Sequence, residues 1–169
     1  GGRTGLSGGA VATNGEVVLV LDRMNQILDF NAADRQVTCE AGVVTEQLQQ
    51  FAESQGLFYP VDFASSGSSQ LGGNVATNAG GIKVIRYGMT RSWVTGMKVV
   101  TGRGDLLDLN RGLTKNATGY DFRHLFIGSE GTLGIIVELT MALSVPPQDP
   151  AVLIMGVEDM TKTMPVLEA

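Results

Sequence analysis

The apolar and polar positions of the chain predict more strands than helices. Residues 16–22 (EVVLVLD) form a valine-rich run after Asn14 and Gly15, which reads as a strand. Residues 27–30 and 36–40 predict two more, joined by a polar turn at 31–35. The period then changes. Val44, Leu48, Phe51 and Ala52 recur at i, i+4, i+7 and i+8, the single apolar stripe of a helix over residues 45–55. Thr45 is the candidate cap at its start and Gly56 the stop at its end. A loop of Ser and Gly follows at 64–70, then a small-residue segment at 72–81 with one helical turn near 74–77. Residues 94–101 and 106–109 predict a hairpin across Gly102, Arg103, Gly104 and Asp105. Residues 121–127 predict a short helix and 134–144 a long strand. A Pro-rich break at 146–150 precedes a last strand at 151–157 and a helix begun at 161–169. Strands come in runs rather than in regular alternation with helices. The expected fold class is therefore α+β, a mainly antiparallel sheet flanked by helices.

Composition narrows the possible partners. Hydrophobic residues make up 43% and charged residues 17%, enough apolar surface for a packed core. The net charge of −5 argues against nonspecific binding of nucleic acid or an anionic membrane. The single cysteine, Cys39, excludes an internal disulfide. With the single histidine, His124, it excludes a Cys/His zinc cluster, and no metal is expected. No apolar run approaches the ~20 residues of a membrane span. The chain starts without Met inside a glycine-rich loop and shows no signal or transit pattern, so we expect a piece of a longer protein.

Glycine is the outlier. The 23 glycines are about twice the usual share of ~7%. They gather at residues 1–9, 72–81 and 128–134, beside Ser, Thr or Asn. No G-x-G-x-x-G follows a strand and no G-x-x-x-x-G-K-[ST] occurs, so neither a Rossmann nor a P-loop site is supported. H-E-x-x-H and G-x-S-x-G are absent as well. Glycine-rich segments let backbone approach a ligand, and successive N–H groups can hold an anion. An acidic chain that binds a pyrophosphate needs that device. Turns of a β-rich domain explain one such cluster, whereas three clusters favour a large ligand wrapped by several loops.

Four motifs, in order, carry a resemblance to a known family. GRTGLSGG at 2–9 resembles the pyrophosphate loop of the PCMH-type FAD-binding flavoproteins, the vanillyl-alcohol oxidase type. LGGNVATNAGG at 71–81, followed by RYG at 86–88, resembles their second FAD segment. NATGYD at 116–121 and IGSEGTLGII at 127–136 complete the set. The resemblance covers nearly the whole chain, up to about Pro146. It is nearest to the group of D-lactate dehydrogenase, the glycolate oxidase subunit and D-2-hydroxyglutarate dehydrogenase.

The resemblance implies that FAD lies between two subdomains, this chain forming the second and the loop that ends the first. Residues 1–146 would be the FAD-binding PCMH-type domain, and 147–169 the start of a C-terminal oxidase or cap domain. Gly2, Arg3, Thr4, Gly5, Leu6 and Ser7 would wrap the pyrophosphate. Pro60, Asp62 and the 66–73 stretch, with Gly72 and Gly73, would run along the ribityl and phosphate region. Thr77, Asn78, Gly80 and Gly81 would lie near the flavin ring or its ribityl arm. Glu130, Gly131, Gly134, Ile135 and Ile136 would close around the adenosine half. Two departures stand out. Arg3 occupies the position of a third glycine in the common form of the first loop. That loop also lacks the histidine that tethers flavin in covalent members, so non-covalent FAD is expected. A smaller departure is Ser92 after Arg91, where relatives often carry Asp. The implied activity is oxidation of a D-2-hydroxy acid to the 2-oxo acid by hydride transfer to flavin N5. Its partners would be a small 2-hydroxy acid and an electron acceptor, in a homodimer or an oxidase complex. Its place would be the cytoplasm, or the periphery of the inner membrane through that acceptor. Substrate histidines and metal ligands of this group lie in the cap region, so no catalytic residue is assigned here. Two readings compete: a non-catalytic flavin-binding or electron-transfer subunit, and a glycine-rich domain that only mediates assembly.

Other residues have plainer explanations. His124 beside apolar neighbours reads as a packed or capping residue, Cys39 as a buried small hydrophobe, and Trp93 as core. Arg86 reads equally as a group facing the flavin or substrate and as a structural ion pair. Glu130 reads either as a cofactor ligand or as a turn cap. A bulky substitution at Gly81 separates a ligand-facing glycine, which would lose flavin binding, from a turn glycine, which would lose stability.

Overall fold

The computed structural model describes residues 1–168 of the chain. Its centre is a five-stranded sheet whose neighbours all pair antiparallel. β1 (Ile27–Asn31) and β2 (Gln36–Glu40) form one hairpin across the expected polar turn. β3 (Val94–Thr101) and β4 (Leu106–Leu109) form the second. The last strand, β5 (Gly134–Ala142), inserts between the hairpins, giving the order β1-β2-β5-β3-β4. The α+β class and antiparallel sheet expected from the sequence are therefore present.

The alternation of side chains along the strands explains the two faces. Val37, Cys39, Met97, Leu139 and Met141 point to one face and are buried. The intervening positions are polar and meet across the strands on the other face. The Thr38 and Thr140 hydroxyls lie 3.2 Å apart, and Lys98 pairs with Glu138 at 2.8 Å. The apolar face is covered by α1 (Thr45–Ser54) through Leu48 and Ala52, and by α2 (Leu71–Ala76) through Leu71 and Val75. Three shorter helices complete the chain: α3 (Val84–Tyr87), α4 (Arg123–Phe126) and α5 (Thr163–Glu168). Gly56, at φ +68, follows α1 as its stop.

Three local expectations are corrected. Residues 16–22 make no ladder, and Val17 and Val20 are exposed. A strand needs a partner to accept its backbone groups, and among the described residues this segment pairs with neither edge of the sheet, β1 or β4. Residues 151–157 are likewise unpaired, with Ile154 exposed. Thr45 is not the cap of α1. That position falls to Val44, whose amide donates to Gln47 Oε1 at 2.9 Å. The buried Thr45 hydroxyl lies 2.7 Å from Ser69 Oγ instead. The helix begun at 161–169 is present as a 3-10 turn (Met160–Lys162) leading into α5, and Ala169 lies outside the described residues.

Candidate functional site

The first glycine loop, the Ser/Gly loop and α2 meet around one cleft of about 610 Å³. That lies within the range of ligand sites in proteins. Glycine is required where these segments touch. A Cβ on Gly2 would stand 1.9 Å from the Ser68 carbonyl oxygen, and one on Gly73 would stand 2.9 Å from Gly1 Cα. The first loop thus lies directly on the Ser/Gly loop and on α2. No hydrogen bond within the described residues uses the amide N–H groups of residues 2–10. Those donors are open to a ligand.

Below the cleft sits a buried polar network. Thr45 Oγ1 lies 2.7 Å from Ser69 Oγ, and Asn74 donates its side-chain amide to Thr45 Oγ1 at 2.7 Å. Asn74 lines the cleft, so the network fixes the height of the floor. Beside it, Gln70 donates Nε2 to Asp22 Oδ1 at 2.7 Å, while its buried Oε1 has no partner in the protein. An orphaned buried acceptor is uncommon, and in the wall of a cleft it suits a ligand that carries donors. These groups fit FAD: free N–H groups for a pyrophosphate and an unused acceptor for a hydroxyl or imide N–H.

The expected site residues divide into two sets. Gly2, Arg3, Thr4, Gly5, Ser7, Gly73, Thr77 and Glu130 line the cleft together. Sequence reading did not single out Phe63, Ser65, Asn74 and Ala79, which line it too. Phe63 and Ser65 lie just before and within the Ser/Gly loop. Asn74 lies inside the second motif, where its polarity at a buried helical position was the available signal. The other expected residues do not line the cleft. Leu6 projects into solvent. Pro60 is buried, and Asp62 pairs with Lys83 at 3.1 Å. Gly72 is needed for packing, since its Cβ would meet Ala41 Cβ at 2.7 Å. Gly81 fits against the Asp62 backbone and Gly80 against the Val84 side chain. Asn78, at φ +48, accepts from the Arg91 amide at 3.1 Å. Gly131 stands in a turn at φ +80. Gly134, Ile135 and Ile136 belong to β5, where a Cβ on Gly134 would meet the Val99 side chain at 2.7 Å and Ile136 is in the core.

The remaining candidates stand elsewhere. Glu130 adopts φ +52 and donates its amide to the Ala76 carbonyl at 2.8 Å, which ties the fourth motif to α2. Its carboxylate stays free for the cleft. His124 lies in a polar bracket, half-exposed rather than packed. Its Nδ1 is 2.8 Å from Arg91 Nη1, and its Nε2 is 3.4 Å from Asp121 Oδ2. Hydrogen bonds from Arg123 hold the Asp121 carboxyl below the usual carboxylate range. His124, Arg91 and Arg123 border a second groove of about 540 Å³, where the guanidinium groups of Arg91 and Arg123 are committed. Arg91 donates to Ile127 O at 2.7 Å, and Arg123 to Val94 O at 2.6 Å. Burial pushes the Cys39 thiol up to about 12, so it stays protonated at neutral pH. Trp93 is half-buried against the core and donates to Tyr87 O at 2.9 Å. Arg86 is exposed over the Tyr87 ring and forms no ion pair among the described residues.

Comparison with known proteins agrees with this geometry. An FAD binding domain family matches residues 1–110. A D-2-hydroxyglutarate dehydrogenase of Stutzerimonas stutzeri is 68% identical over the full chain, which spans 36% of that protein. A mitochondrial D-2-hydroxyglutarate dehydrogenase of Arabidopsis thaliana is 45% identical over 83% of the chain and 25% of its own length. A D-lactate dehydrogenase of Anaerostipes hadrus is 44% identical over 98% of the chain and 35% of its own length. The chain thus spans about a third of the curated relatives it matches. Among solved structures, an alkyldihydroxyacetonephosphate synthase superposes with a TM-score of 0.65 at 32% identity, covering 75% of this chain and 22% of that one. With three of its four ordered motifs meeting at one open cleft and a family match across most of its length, the chain belongs to the PCMH-type FAD-binding domain family.

Proposed function

We propose that the protein carrying this chain uses FAD to oxidise a D-2-hydroxy acid to the 2-oxo acid, with D-2-hydroxyglutarate as its first substrate. The observation that carries this reading is the 68% identity along all 169 residues with the Stutzerimonas stutzeri D-2-hydroxyglutarate dehydrogenase. It exceeds the 44% shared with the D-lactate dehydrogenase. The free amide N–H groups of residues 2–10 support it, since they suit a pyrophosphate.

In this reading the chain binds and orients. The first loop holds the pyrophosphate oxygens through its backbone donors. Thr77 would face the flavin half, and the Glu130 carboxylate would accept from hydroxyl or amine groups of the adenosine half. The Thr45–Ser69–Asn74 network keeps the cleft floor rigid. FAD, when bound, supplies a two-electron acceptor that takes the α-hydride of the hydroxy acid at flavin N5. We assign the base that takes the hydroxyl proton, and the groups that hold the carboxylate, to the C-terminal cap region. We place the domain boundary near Pro146, just after the isolated bridge of Phe58 with Ser144 that follows β5. We place the protein in the cytoplasm, handing electrons to a separate acceptor. No helix among the described residues is long and apolar enough to cross a membrane.

The test is anaerobic bleaching of the flavin in the full-length protein by D-2-hydroxyglutarate, D-lactate and glycolate. D-2-hydroxyglutarate should reduce it fastest. A flavin that none of the three reduces would overturn the assignment and favour an electron-transfer subunit.

A further inference from the structure

We infer that Arg3 is the working cation of the cleft, and that its guanidinium leaves Asp22 for a phosphate when the dinucleotide binds. The inference rests on the FAD reading above. It begins from a charge inventory. Arg3 and Glu130 are the only charged side chains that line the cleft among the described residues. The chain carries −5 overall. Backbone N–H groups offer partial charges, so among the described residues the full positive charge available to a pyrophosphate in this cleft is that of Arg3.

The position is unusual for arginine. Arg3 stands at φ +60, in the left-handed region that favours glycine. The resemblance places a glycine there in the common form of the loop. The strain is set against only one visible contact, and that contact is weak. Arg3 Nη2 lies 3.7 Å from Asp22 Oδ2, and the two side chains are 73% and 49% exposed. Solvent screens such a pair heavily. A phosphate offers the guanidinium shorter, bidentate, charge-assisted hydrogen bonds.

Asp22 is built to stay behind. Its Oδ1 accepts from Gln70 Nε2 at 2.7 Å, and Gln70 is 6% exposed. A carboxylate only accepts, so the amide nitrogen must face it, and the pair is anchored in the cleft wall. Asp22 therefore parks the guanidinium at the rim without following it inward. The same carboxylate competes with the ligand for Arg3, which makes the effect of its removal opposite in sign to that of removing Arg3.

The experiment uses the full-length protein stripped of flavin. Dissociation constants for FAD, ADP and riboflavin are measured as a function of ionic strength, with the thermal midpoint of each ligand-free variant. Arg3→Gly should weaken FAD and ADP roughly tenfold, the scale of one charge-assisted contact. Riboflavin, which lacks phosphate, should bind unchanged. The dependence of FAD binding on ionic strength should flatten. The midpoint should hold or rise, because glycine adopts this φ freely. A merely structural arginine would lower midpoint and affinity together. Arg3→Lys should keep the ionic-strength dependence, and Asp22→Asn should tighten FAD. If Arg3→Gly binds FAD as tightly as the unsubstituted protein, or loses riboflavin to the same extent, the Arg3 assignment is wrong and the FAD reading stands. If the unsubstituted protein takes up no FAD, the FAD reading itself falls and takes this inference with it.

Discussion

The carbonyl oxygen of Asp62 lies 2.4 Å from the place a Cβ on Gly81 would occupy, and Gly81 stands at φ +84. The contact is backbone to backbone, so neither side yields cheaply. Gly81→Val should therefore lower stability by about 2–4 kcal/mol, combining left-handed strain with overpacking. Of the two roles the sequence left open for Gly81, this contact favours the turn. Chemical denaturation of Gly81→Val and of Gly80→Ala should separate them. A Cβ on Gly80 meets nothing nearer than the Val84 side chain at 3.7 Å, so that variant should be close to neutral.

Thr45→Val should cost about 1–3 kcal/mol although it preserves shape. The hydroxyl accepts from Asn74 Nδ2 and shares a hydrogen bond with Ser69 Oγ, all within a buried pocket. Removing it strands the Asn74 donor. Asn74 lines the cleft, so flavin affinity should fall along with the denaturation midpoint. An unchanged midpoint would mean that water replaces the hydroxyl.

The Cys39 thiol gives a stability signature in base. Burial, with the neighbouring Glu138 and Glu40 carboxylates, raises it from 9.0 to about 12. Between those values the unfolded chain has released the proton and the folded chain has kept it, so the unfolded state binds fewer protons. Stability is then fully present below pH 9 and falls as pH rises toward 12. Cys39→Ala should flatten that limb in a series of urea titrations. The native thiol should also resist a thiol reagent at pH 8 until denaturant is added.

Acid precipitation of the full-length flavoprotein should leave all flavin in the supernatant. No histidine occurs in residues 1–9. The only histidine of the chain, His124, is held between Arg91 and Asp121 and does not line the cleft. Yellow colour in the washed pellet would reveal a covalent bond to another residue.

Legibility in the sequence followed the range of the interactions involved. β2 and the β3–β4 hairpin were readable because alternation and turn chemistry are local. α1 was readable from one stripe, Leu48 and Ala52 to the core. Residues 16–22 have the composition of a strand, but pairing is a property of two segments, and composition cannot report whether a partner strand is engaged. Thr45 failed as a cap for a related reason: its hydroxyl is claimed by Ser69, 24 positions away. At the site, the motifs name Gly2, Gly73 and Thr77, which line one cleft. They also name Gly72, Gly81 and Gly134, whose missing side chains make room for protein atoms. A glycine beside a ligand and a glycine beside a carbonyl look alike in one dimension. Gln70 and Asp22 were invisible as a pair because 48 residues separate them.

The place of β5 sets an order of assembly. It is the last strand in the chain and the central one in the sheet, holding the β1–β2 hairpin on one side and the β3–β4 hairpin on the other. Neither hairpin can reach the other without it. A nascent chain that has not yet released Ala142 from the ribosome therefore carries two separate ribbons with half-covered apolar faces, and each two-stranded ribbon is marginal by itself. Closing the sheet requires contacts across about a hundred residues, Cys39 to Leu139 among them, which places this domain among the slower folders. During that interval its unpaired strand edges and apolar faces are exposed to misassociation.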